Sequence, residues 1–309
     1  MILIITHKQD YTADYLINIL NQRSIPYKRF NCEDVMTSGV SLLYDGNFQS
    51  EIFGVKNFTS VWFRRTKIPF IQGLVEDEVT YLQAEYDSLL KNIFTVIEAK
   101  WLSSPWHVYR AENKLFQLRT AMEVGFKIPK TLVTTDHKKL ISFSNQVGEM
   151  IVKPISATRS SSTKEPMFIY TNRVEKQHLE NISKFDLTPC IFQEEISKHV
   201  ELRVTVVGKD VFAASVDSQQ NEESKVDWRR KALKFETFSL PAEIASKCIS
   251  LVSNLGLLFG AIDLILSPDG SYTFLEINPN GQWAWIENET GLQISDAIIK
   301  ELINKSSNE

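Results

Sequence analysis

The stretch 260–281, GAIDLILSPDGSYTFLEINPNG, holds two apolar runs around a Ser-Pro-Asp-Gly turn, and its reading decides the architecture of the chain. Residues 262–266 and 272–277 are strand-like and predict a β-hairpin. A two-residue loop at Asp269-Gly270 pairs Asp263 with Glu276, so two like charges face each other and call for a cation between them. Asn278 follows Glu276 by two residues, on the same face, and adds a neutral oxygen. Three hard oxygen donors at one strand end suit Mg²⁺ when phosphate and water supply the other ligands. A type I turn closed by Gly270 as a bulge shifts the register by one and sends the acids to opposite faces. On spacing alone, metal ligation and a solvated edge stand as equal alternatives. In both, Pro279 cannot donate to a ladder and Asn280-Gly281 turns the backbone away, which leaves the last side chains at a cleft edge.

Upstream, MILIIT reads as a buried strand, followed by a helix with apolar residues at Tyr15, Leu16, Ile19 and Leu20 and a second strand at PYKRF. This β-α-β opening implies a doubly wound first domain. His7-Lys8-Gln9 stands where a dinucleotide fold needs glycines, so no dinucleotide is expected there. Asp45-Gly46 predicts a hairpin, FTSVWFRRTKIP a buried strand, and residues 75–98 a long helix. WLSSPWHVYRAENK reads as a linker feeding one helix that runs to Val124, capped by Gly125. Strands at IPKTLVTT and EMIVKPIS flank a helix begun by Asp136, and residues 156–166 form a small, polar loop. CIFQEEIS, two strands around Gly208-Lys209, a helix opened by Pro241, the hairpin and a final helix at 294–304 complete an α/β chain.

The chain has 309 residues, enough for two or three subdomains of about 100–150 residues each. With 34 basic and 38 acidic residues its net charge is −4, so it carries no global field for nucleic acid or an anionic membrane. No apolar stretch approaches the roughly 20 residues of a spanning helix. Cys32, Cys190 and Cys248 are distant and odd in number, which fits a reducing compartment and a cytoplasmic protein. The five histidines show no ligand spacing for zinc.

Taken with four other motifs, the hairpin makes the chain resemble the ATP-grasp ligases, an α/β fold with an N-terminal doubly wound pre-ATP-grasp domain. Lys114 in AENKLFQLR and Lys153 in MIVKPIS match that family's phosphate lysines. Gln193, Glu194, Glu195 and Ile196 resemble the linker that meets adenine, and Glu201 in VELRV the ribose-side acid. Arg203 takes the position of the arginine that faces the reactive phosphate, and Asp263, Glu276 and Asn278 match the Mg²⁺ ligands. A narrower resemblance, carried by VWFRRTKIP, VELRVTVVGKDVFAASVDSQ, VDWRR and EINPNGQWAWIE, is to the graspetide synthetases, which cyclise peptides in microviridin-like and grasp-with-spasm systems. SATRSSSTKEP departs from the family's glycine-rich phosphate loop, and hydroxyls with Arg159 stand in for the glycines.

The resemblance implies domains at 1–105, 106–192 and 193–309. It further implies ATP and Mg²⁺ as cofactors, a precursor peptide as partner, docking of its leader within 165–189, and a homodimer. The expected reaction activates Asp or Glu side chains as acyl-phosphates and joins them to Thr/Ser hydroxyls or Lys amines. Its alternatives are a ligase that adds a free amino acid to a protein or metabolite, and a nucleotide-binding scaffold without catalysis. Read without the resemblance, Lys114 is a solvated helix lysine and Arg203 faces solvent or a cleft with equal weight. Arg229 and Arg230 hold phosphate or substrate carboxylate, or sit in a solvated loop. Trp283 and Trp285 read as core, and Arg64-Arg65 as partners of acids at a domain junction.

Overall fold

The computed structural model describes residues 1–304 apart from 38, 47, 53, 70, 72, 157–158, 161–166 and 185–187. Most of the polar loop at 156–166, and part of the expected leader-docking segment, therefore lies outside the described residues.

The N-terminal layer is a four-stranded sheet ordered β2 (Tyr27–Asn31), β1 (Ile2–Thr6), β5 (Ser60–Phe63) and β6 (Lys100–Leu102), with each adjacent pair parallel. Alternation along β1 splits its side chains between two cores. Ile2 and Ile4 pack with Leu16 and Leu20 of α1 (Tyr11–Gln22), whereas Leu3 and Ile5 pack with Ile93 and Phe94 of α2 (Glu76–Val96). Helices on both faces make the layer doubly wound. A side hairpin, β3 (Ser41–Tyr44) and β4 (Phe48–Glu51), turns at Asp45-Gly46 as expected.

Two expectations need correction. The segment read as a linker contributes β6, because Trp101 and Leu102 pair with Val61 and Trp62 and complete the sheet. The single helix expected up to Val124 is two, α3 (Pro105–Ala111) and α4 (Lys114–Glu123), which pack against each other. The break falls at Glu112-Asn113, where Asn113 turns its amide back to the carbonyls of Tyr109 and Arg110.

The central layer is a sheet ordered β11 (Asn172–Arg173), β8 (Met150–Pro154), β12 (Cys190–Glu194) and β7 (Thr131–Thr134), closed on a small core of Leu140, Met150 and Phe192. Its helices are α5 (His137–Val147), capped by Asp136, and α6 (Lys176–Glu180). A short pair, β9 (Arg159–Ser160) and β10 (Met167–Phe168), lies beside it.

The third layer is antiparallel and ordered β15 (Glu236–Thr237), β14 (Asp210–Val216), β13 (Val200–Val207), β16 (Phe259–Leu266) and β17 (Tyr272–Asn278). Leu202, Val204, Val206, Ile262 and Leu264 pack under α7 (Ala242–Asn254), which leaves Glu201, Arg203 and Asp263 on the opposite face. Trp283 opens α8 (Ala284–Thr290) and is fully buried, so the two tryptophans belong to a helix start rather than to an extended run. Helix α9 (Ile294–Ile303) ends the described chain. No described helix is long and apolar enough to cross a membrane.

Candidate functional site

The hairpin of β16 and β17 uses both of the registers that the sequence left open. At the turn, Gly270 donates to the Ser267 carbonyl with φ +80°, and Leu264, Ile265 and Leu266 pair with Phe274, Thr273 and Tyr272. That is the bulged-turn register. Leu275 is then an unpaired extra residue, and beyond it Asp263 pairs with Glu276, Ile262 with Ile277 and Ala261 with Asn278. Because a strand alternates faces with period two, one bulge cancels one slip. Were Leu275 paired with Asp263 instead of bulged out, Glu276 and Asn278 would turn away from Asp263.

Between this sheet and the central one lies a cleft of about 810 Å³, with the open space at its mouth included. Lys114, Lys153, Gln193, Glu194, Glu195, Ile196, Glu201, Arg229, Asp263 and Glu276 all line it. Arg203 stands behind Asp263, and Asn278 lies two pairs beyond the lined pair of Asp263 and Glu276, on the same face. The twelve residues singled out by sequence thus come from α4, both sheets, the segment that follows β12 and the loop after β14, and they converge on one cleft and its margin.

Lys114 is no surface lysine, because its Nζ donates to Glu276 at 2.9 Å. Arg203 Nη1 donates to both oxygens of Asp263, at 2.9 and 3.0 Å, and the residue is only 9 % exposed. Gly281 makes room for it, since a Cβ there would come within 2.5 Å of Ala261 Cβ and 2.7 Å of Arg203 Nη2. Arg229 holds Asp227 with Nε at 2.8 Å and Nη2 at 2.6 Å, and that forked contact pushes its pKa up. Asp227 also accepts from the Thr171 backbone N–H of the central layer, at 3.2 Å. Arg230 donates to the Thr171 carbonyl and to Asn172. The loop after β14 is therefore a tie between the two sheets.

Burial pushes Asp263 above the ordinary carboxylate range, and the Glu276 charge adds to this against the pull of Arg203. Burial acts on Glu276 in the same direction, but Lys114, Lys153 and Arg229 outweigh it and hold its carboxyl at about 2. The two acids are thus unequal, one held ionised by cations and the other short of positive charge. Lys153 is driven down by burial, offset in part by Glu276, and among the described residues it has no ion-pair partner. A half-buried, unpaired cation beside two acids suits a ligand that brings further anionic oxygens. The donor set fits Mg²⁺. Two carboxylates and an amide oxygen are hard ligands, and a dication between the acids would relieve the shortage at Asp263.

Ionisation of Glu276 stabilises the folded state above its ordinary pKa of 4.5, and the contribution is lost as pH falls toward about 2. Glu276→Gln is therefore expected to be less stable than the wild type at neutral pH. The gap should shrink between pH 4.5 and 2, as read from urea midpoints; a gap independent of pH would refute the assignment.

Glu194 accepts from the Lys130 N–H at 2.8 Å and Glu195 pairs with Arg173 at 2.6 Å, so both side chains are committed to structure. Glu201 is paired with Lys198 at 2.9 Å, and Lys198 also donates to the Val226 carbonyl. Lys198 and Asp227 line the cleft and were not singled out by sequence. Asp227 was legible as an acid two residues before Arg229, an Asx-turn spacing, whereas Lys198 gave no signal beyond its place three residues before Glu201. Arg64 takes the junction role expected of it, with Nε on Asp10 at 3.2 Å and Nη1 on the carbonyls of Asn280 and Gly281 at 3.3 and 3.4 Å.

Two sheets clamping a cleft lined by lysines, with two carboxylates facing each other on one wall, define a nucleotide-dependent ligase of the ATP-grasp fold. A family model described as the RimK-like ATP-grasp domain matches residues 111–302, and the chain belongs to that family of ligases. A RiPP-associated ATP-grasp ligase from Chryseobacterium gregarium, solved with ADP and a leader and core peptide, is 30% identical with a TM-score of 0.88, over 97% of this chain and 96% of that one. The macrocyclase MdnB from Microcystis aeruginosa is 31% identical with a TM-score of 0.80, over 98% of each chain. Among curated proteins, the tetrahydromethanopterin:alpha-L-glutamate ligase of Methanocaldococcus jannaschii is 25% identical over 208 residues, 65% of this chain and 69% of that one.

Proposed function

We propose that the protein is an ATP-dependent peptide macrocyclase that joins Asp or Glu side chains of a ribosomally made precursor peptide to Thr/Ser hydroxyls or Lys amines. The observation that carries this reading is likeness over nearly the whole chain, first domain included, to a ligase solved with ADP and a leader and core peptide. The cleft supports it with chemistry. A carboxylate does not acylate an alcohol at neutral pH because oxide is a poor leaving group, and transfer of the γ-phosphoryl group of ATP replaces oxide with phosphate. Lys153 and Lys114 hold the α- and β-phosphates, and the backbone of residues 193–196 meets the adenine. Asp263, Glu276 and Asn278 would hold Mg²⁺, which would supply positive charge to the phosphates. Arg203 neutralises the acyl-phosphate as it forms, and Arg229 orients the substrate carboxylate. The acceptor oxygen or nitrogen then attacks the acyl carbon, phosphate leaves, and the acceptor's proton passes to solvent.

Neither step needs an enzyme nucleophile. The division at 1–105, 106–192 and 193–309 follows the same reading. So does a cytoplasmic location, which three unbridged cysteines suit. Purified protein with ATP, Mg²⁺ and precursor peptides encoded near its gene is expected to remove one water per ring from the peptide mass. Asp263→Ala should remove none. Gain of a free amino acid would overturn the cyclase reading in favour of a terminal ligase, and ATP binding without any product would leave a scaffold.

A further inference from the structure

β17 is the outer strand of its sheet, so the N–H and C=O of Ile277 point away from β16 and have no neighbouring strand to meet. Gln117 fills that place with its side chain. Its Nε2 donates to the Ile277 carbonyl at 2.8 Å and its Oε1 accepts from the Ile277 N–H at 3.1 Å, the pair of bonds that another strand would make. The same Nε2 donates to the Ala111 carbonyl at 2.6 Å, which fixes the last turn of α3 as well. Gln117 is 3 % exposed and Ile277 likewise, so water does not replace these bonds.

We propose that Gln117 is a positioning residue that sets the phase of the metal-holding end of β17. The residue it grips lies between Glu276 and Asn278, and the only slack in the register, the Leu275 bulge, is two residues before it. Were the bulge to move past Ile277, the N–H and C=O of that residue would turn inward to β16, and Glu276 would leave the face of Asp263. The Gln117 amide bonds Ile277 only in the outward phase. Lys114, one turn earlier on the same helix, takes the Glu276 carboxylate, so α4 holds both the backbone and the side chain of that segment. This inference rests on the reading that Glu276 and Asn278 hold Mg²⁺.

The test measures ADP binding by calorimetry on the full chain across a Mg²⁺ series, with thermal melts of the unliganded protein alongside. Gln117→Met keeps the volume and loses all three bonds. It is expected to raise the Mg²⁺ concentration that half-saturates tight ADP binding by roughly tenfold or more, while ADP binding in EDTA is unchanged. Gln117→Glu, which keeps an acceptor for the Ile277 N–H, should fall between this variant and wild type, and it carries the test if the methionine variant does not fold. A wild-type Mg²⁺ dependence together with a lowered melting temperature would overturn the proposal, leaving Gln117 as packing. If Mg²⁺ leaves wild-type ADP binding unaltered, the metal reading fails first and takes this inference with it.

Discussion

Replacing Arg203 with methionine is expected to lower turnover about 1,000-fold, the scale of losing one preorganised charge that faces a transferring phosphoryl group. Two facts set the size of the effect. The guanidinium is almost buried, and its Nη1 is already committed to both oxygens of Asp263, so it cannot swing away without abandoning a buried acid. The contact also gives Arg203 a second consequence. Asp263 is already pushed up by burial and by Glu276, and loss of its Arg203 partner pushes it further toward the protonated form, in which it is a poor Mg²⁺ ligand. Arg203→Lys restores charge without the planar fork and should recover only part of the loss. Single-turnover rates on a precursor peptide, set against ADP affinity in EDTA, separate the effects. The rate should collapse while metal-free affinity stays near that of wild type. If rate and affinity fall together, Arg203 acts in ground-state binding and the assigned role is wrong.

Arg64→Met should cost about 3–5 kcal/mol of stability, because it removes the partner of a carboxylate that stays buried. Arg64 and Asp10 are 1 % and 0 % exposed. Burial works against the Asp10 charge, and Arg64, the Thr6 hydroxyl and the Ala13 N–H together hold its carboxyl below the usual range all the same. With Arg64 gone, the folded-state pKa of Asp10 rises above its value in the unfolded chain. The penalty then applies where Asp10 is ionised and fades as pH falls below the raised value. The deficit against wild type should therefore be large at pH 7 and smaller near pH 4, as measured by urea unfolding. Asp10→Asn in the same chain should recover part of it, and a double-mutant cycle with no coupling would contradict the pairing. Arg64 also donates to the carbonyls of Asn280 and Gly281 and to Gln282, which itself accepts from Thr12. Because Gly281 lies against the Arg203 guanidinium, Arg64 links the first domain to the candidate cleft.

How far the sequence reached differs from residue to residue, and the difference follows sequence separation. The strand pattern of FGAIDLIL, the Gly208-Lys209 hairpin and the Asp136 helix start were legible, since each is fixed by neighbours within a few residues. The break between α3 and α4 was not. An apolar pattern at helical spacing runs straight across Glu112-Asn113, and only bonds to the preceding turn interrupt it. Strand β6 was missed for a related reason, because three residues acquire strand character only when Ser60, Val61 and Trp62 lie beside them. Lys198 looked like any lysine next to a histidine. Its partner Glu201 is close by, but the cleft that makes the pair matter is assembled from distant strands.

By itself the sequence determined the strand and helix periods, a turn somewhere within residues 267–270, and which residue types stand at the end of the hairpin. Those follow from backbone preferences and alternation, which act over a few residues. Tertiary structure alone decided that Asp263 and Glu276 share a face. The turn imposes a slip of one residue and the Leu275 bulge removes it, and the strand edge beyond the bulge is held from outside the hairpin. Here Gln117 holds it, 160 residues away in the chain.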